Sequence, residues 1–66
     1  MKVYLLQGSF YAVDTGVGKI FMYHLSSKAH VGYTSQKFMD SNKDYIVGVL
    51  DGDYARVFIT WTGAEV

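Results

Sequence analysis

No cysteine occurs in this chain, and at 66 residues that absence removes the usual means of holding a small domain together. A chain this short buries a smaller fraction of its surface than a longer one, so it needs dense packing or help from outside the fold. Disulfides are ruled out, as is a cysteine-based zinc site, which leaves packing density and self-association. The composition suits both. Half of the residues are hydrophobic, and Trp61, six tyrosines and four phenylalanines can each bury on the order of 150–250 Å².

Charge gives little direction. Six Lys/Arg balance six Asp/Glu, so bulk electrostatics supplies no pull toward nucleic acid or an anionic membrane, and nucleic acid is disfavoured as a partner. Residues 1–39 carry Lys2, Lys19, Lys28 and Lys37 against Asp14. Residues 40–66 carry Lys43 and Arg56 against Asp40, Asp44, Asp51, Asp53 and Glu65. The two halves are thus of opposite sign and can pair within the fold or between subunits. The start, Lys2 before Val3-Tyr4-Leu5-Leu6, imitates a signal peptide, but Gln7-Gly8-Ser9 ends the apolar run early. No other segment approaches a membrane span, and the expected location is cytoplasmic.

Without proline, the punctuation falls to glycine. Residues 2–13 read as one long strand bent at Gly8, Asp14-Thr15-Gly16-Val17-Gly18 as a turn, and Lys19 to Leu25 as the returning strand. Val31-Gly32-Tyr33 suits a short strand or a turn. Thr34 can cap a short helix to about Asp40 that buries Phe38 and Met39. Asp44 to Leu50 reads as a strand, Asp51-Gly52-Asp53 as a hairpin turn, Tyr54 to Thr62 as the last strand, and residues 63–66 as a frayed tail. The expected fold is a mainly β, small α+β domain over residues 1–66. It is an antiparallel sheet or small barrel of four to five strands with one short helix, in ββαββ order.

The strands are apolar on both faces. Ile20 and Met22 oppose Phe21, Tyr23 and Leu25, while Tyr45, Val47 and Val49 oppose Ile46 and Leu50. One short helix cannot shield a second sheet face, so the sheet either closes into a barrel or meets another copy. A homo-oligomer is expected.

Chemical motifs are near misses. Gly16-Val17-Gly18-Lys19 imitates the end of a phosphate loop, but the first glycine falls at Val13 and the magnesium hydroxyl at Ile20. Asp40-Ser41-Asn42-Lys43-Asp44 with Val47 and Asp51 imitates a calcium loop, except that Tyr45 replaces the turn glycine and Asp51 the terminal glutamate. His24 and His30 are too few for zinc, and no serine sits in a nucleophile elbow. The chain is therefore expected to be no enzyme, with no catalytic residue, metal or cofactor.

The predicted last strand is the most suggestive part. Ala55, Val57, Ile59 and Trp61 form its core face, while Tyr54, Arg56, Phe58 and Thr60 form the other. Arg56, the sole arginine, flanked by aromatic rings, suits an aromatic anion or a protein interface. Cross-strand pairing of Arg56 with Asp44 or Asp51 is the plainer role. The expected function is a small oligomeric binding protein that captures a protein partner or a small nucleotide-like anion at Tyr54, Arg56, Phe58 and Thr60. By size alone it is comparable with the accessory inhibitors and sequestering proteins of phages. A nucleic-acid-binding barrel and a purely structural subunit are the alternatives.

Overall fold

Three tight turns fold the first half of the chain into a meander of β1 (Lys2–Leu6), β2 (Phe10–Asp14), β3 (Ile20–His24) and β4 (His30–Thr34). This is seen in a computed structural model that describes residues 1–64. The long bent strand expected over 2–13 is two strands. Gly8 and Ser9 both take positive φ, 80° and 65°, so the chain reverses where a bulge was expected, and Leu6 pairs with Phe10. In the second turn the Gly16 amide donates to Asp14 Oδ1 at 2.9 Å, an Asx bond that suits a glycine at φ 90°.

Ser35, one residue beyond the expected Thr34, accepts from the Phe38 amide and caps α1 (Gln36–Ser41). A 3₁₀ turn, Lys43–Tyr45, leads into β5 (Ile46–Asp51), which pairs antiparallel with β1. The sheet order is β4-β3-β2-β1-β5. β4 and β5 are its two edges, so the sheet is open and the barrel is not formed.

The largest departure lies after β5. Residues Gly52–Thr62 form an eleven-residue helix, α2, where a hairpin and last strand were expected. Gly52 takes φ 59°, which lets Asp51 end the strand and the helix begin without a linker. The element order is therefore ββββαβα, richer in helix than ββαββ, within the same mainly β, α+β class.

Each sheet face has its own helix. One face carries Val3, Tyr11, Val13 and Tyr23 beneath Ala55 and Ile59 of α2. The other carries Tyr4, Leu6, Ala12 and Ile20 against Met39 of α1, with Tyr45 and Ile46 packed beside them. The strands are apolar on both faces, as expected, and in place of closure into a barrel each face is met by a helix. A second helix, α2, covers the centre of the face that one helix could not, while Val47 and Val49 of the edge strand β5 stay exposed. Of the tail expected to fray, Glu65 and Val66 lie outside the described residues, while Gly63 forms the left-handed cap of α2 and its amide donates to the Ile59 carbonyl.

Candidate interaction surface

The sequence of α2 is rich in β-branched and aromatic residues, which favour strands in isolation. Its helical spacing decides otherwise. Ala55, Ile59 and Thr62 recur at i, i+4 and i+7 and are the buried positions, so a helix places on one stripe what a strand would divide between two faces. Docking that stripe on Val3, Tyr11 and Val13 stabilises the helix against its local preference.

A second stripe at helical spacing is left outside. Tyr54, Val57 and Trp61 are 78%, 67% and 68% exposed. Phe58, half-buried, joins them to the core, meeting Tyr11 edge-on at 5.1 Å and Trp61 in a tilted contact at 5.9 Å. With Leu50 of β5 these residues line an open apolar groove of about 380 Å³. Leu50 belongs to β5, whose outer edge is unpaired and whose Val47 and Val49 are also exposed, Val49 on the other face of the sheet beside Tyr4. That edge has no proline or lysine among residues 46–51 to discourage pairing with another strand.

The four expected site residues are therefore divided. Tyr54 and Phe58 belong to the apolar groove, whereas Arg56 and Thr60 lie one turn apart on a different flank, with Thr60 Oγ1 donating to the Arg56 carbonyl at 3.0 Å. The shared strand face that would have joined them is absent because α2 is a helix. For the same reason Arg56 has no cross-strand place opposite Asp44 or Asp51. The residue opposite Asp51 is Lys2, which also faces Asp14. Val57 and Trp61, assigned by the strand reading to the core, are the outward residues. The i, i+3, i+4, i+7 spacing of 54, 57, 58 and 61 was the signal that could have found them.

Other singled-out groups take local roles. Asp40 accepts from Gln36 Nε2, Asn42 Nδ2 donates back to the Phe38 carbonyl, and Gln7 Nε2 donates to the Asp44 carbonyl. The calcium-like spacing is thus a helix end and a turn. Among the described residues no three of His, Cys, Asp and Glu are grouped as metal ligands. His24 Nδ1 lies 3.0 Å from Ser26 Oγ and 3.3 Å from Ser27 Oγ, inside its own turn, while the ring packs edge-on against Phe10. This contact organises the β3–β4 connection. No helix among the described residues is long and apolar enough to cross a membrane. Compared with protein-family models, curated proteins and solved structures, the chain has no significant match to any.

Proposed function

We propose that this chain is a non-enzymatic binding protein that works by protein–protein contact and assembles as a small homo-oligomer through α2 and the edge of β5. The observation that carries this reading is the outward stripe Tyr54, Val57 and Trp61 beside Leu50. Its exposed area is on the order of 400 Å², the size of the largest patches on monomeric proteins, which are often functional. Its composition also points to protein contact, since tyrosine and tryptophan are the common anchors of interfaces and the groove contains no charge to desolvate. Because the patch is uncharged, a second copy is a chemically compatible partner, and two β5 edges can pair as antiparallel strands. In a cell such a protein acts by blocking or sequestering what it binds.

Sedimentation equilibrium tests the assembly. The wild-type chain should sediment as an oligomer at micromolar concentration, and Trp61→Lys, at an exposed position, should dissociate it while leaving the far-ultraviolet circular dichroism spectrum unchanged. Arg56→Ala, on the other flank, should have no effect. A monomeric wild-type chain at hundreds of micromolar would sink the proposal.

A further inference from the structure

The aromatic and cationic chemistry expected on the last strand occurs at the opposite edge of the sheet. β3, β4 and the end of α2 enclose an open hollow of about 400 Å³ lined by Phe21, Tyr23, Lys28, His30, Tyr33 and Ala64, together with Gly63. Its rings form a connected cluster. His30 lies 4.9 Å from Tyr33, 5.3 Å from Tyr23 and 6.0 Å from Phe21, and Phe21 meets Tyr33 at 5.3 Å. In a core such a cluster would be closed over. Here it is at an edge, with His30 exposed and Tyr33 60% exposed.

Cations flank the rings. Lys19 Nζ lies 5.2 Å from the Tyr33 ring centroid, and Lys28 lines the hollow from a turn that holds it at φ 60°, an uncommon conformation for lysine. Among the described residues no carboxylate side chain lines the hollow. Stacking rings with two ammonium groups complement a planar, electron-rich group that carries negative charge. The volume lies in the range of small-molecule sites.

We infer that this hollow binds a small planar anion of nucleotide size, with its ring stacked on Tyr33 and meeting His30 edge-on, since those two rings stand at 71° to each other, and its phosphate or carboxylate held by Lys28 and Lys19. A free ligand fits better than a nucleic-acid strand. The chain is neutral overall, and two lysines do not make the extended basic groove that a phosphate backbone requires. The site lies apart from the α2 groove, so this inference does not rest on self-association.

The test is nuclear magnetic resonance titration of the full chain with adenosine 5′-monophosphate, with adenosine, inorganic phosphate and a short oligonucleotide as comparators. The inference expects saturable shifts centred on His30 and Tyr33. Tyr33→Ala should weaken binding of both the nucleotide and the nucleoside about tenfold, the lower part of the range for loss of one stacking partner. Lys28→Gly should weaken the nucleotide alone, and glycine adopts φ 60° freely, so this variant keeps the turn. Four results would each overturn the inference: no saturation by about 10 mM, beyond the millimolar limit of weak specific binding; adenosine binding as tightly as the nucleotide; phosphate doing so; or an oligonucleotide binding far more tightly with a steep salt dependence. Sedimentation of the same samples reports the oligomer separately, so failure of one proposal is distinct from failure of the other.

Discussion

Tyr11→Phe is expected to stabilise the protein, although it removes a polar group from the centre of the fold. Tyr11 is fully buried on the α2 face of the sheet, its ring stacked on Tyr23 at 5.2 Å and meeting Phe58 edge-on at 5.1 Å. Its hydroxyl has no hydrogen-bond partner among the described residues. An unsatisfied buried hydroxyl costs about 1–3 kcal/mol in desolvation. Phenylalanine keeps both ring contacts and removes that cost, leaving a void of one oxygen atom worth less than about 1 kcal/mol. The net gain is on the order of 1 kcal/mol, or roughly 4–8 °C in Tm for a domain of this size. Tyr4→Phe is the matched control. Tyr4 is also buried, but its hydroxyl donates to Gln36 Oε1 at 3.4 Å, so its removal should cost about 0.5 kcal/mol. Urea denaturation followed by circular dichroism gives both values, at one protomer concentration because self-association contributes to apparent stability. If Tyr11→Phe is the less stable of the two with an unchanged m-value, the reasoning from desolvation is refuted.

Ile59→Ala removes the helix residue that docks on Val3, Tyr11 and Val13 and should cost about 2–5 kcal/mol in the same urea experiment. Gly63→Ala should cost about 1 kcal/mol through φ 76° alone, because a Cβ built there meets no atom within 4 Å; a neutral result would mean that the cap rearranges. Ser35→Ala should cost about 1 kcal/mol by leaving the Phe38 amide uncapped, read in denaturation midpoints and in faster hydrogen exchange across α1.

The β2–β3 hairpin and β5 were legible because alternation, glycine turns and strand length all point the same way there. The Gly16–Gly18 turn, the strand at Ile20–His24 and the short helix near Phe38 and Met39 all occur close to their expected places. Gly8 was ambiguous because one glycine in a strand-like run serves a bulge or a reversal equally, and Ser9 joining it at positive φ has no strong sequence signature. At Asp51-Gly52-Asp53 the end of the strand falls where expected, but the hairpin turn is absent, because α2 starts directly at Gly52. Aspartate followed by glycine marks a change of direction, but cannot say whether a strand or a helix follows. For residues 54–62 local propensity favoured strand, and only the spacing of Ala55, Ile59 and Thr62 favoured helix. The two readings of that segment exchange core for surface at Val57 and Trp61, which is why the candidate site moved with the fold.

The pairing of β1 with β5 has a kinetic consequence. Strands β1 to β4 are joined by three hairpins between chain neighbours, each able to close in microseconds. β1 meets β5 only when Leu6 reaches Ile46 and Lys2 reaches Asp51, across some forty residues or more, and the entropy of closing so long a loop must be met before the new contacts return anything. α2, with little helical preference of its own, has to await the docking site that this closure completes. The barrier to folding therefore lies at the arrival of β5, and until it is crossed β1 remains an open edge onto which another chain's β5 could add.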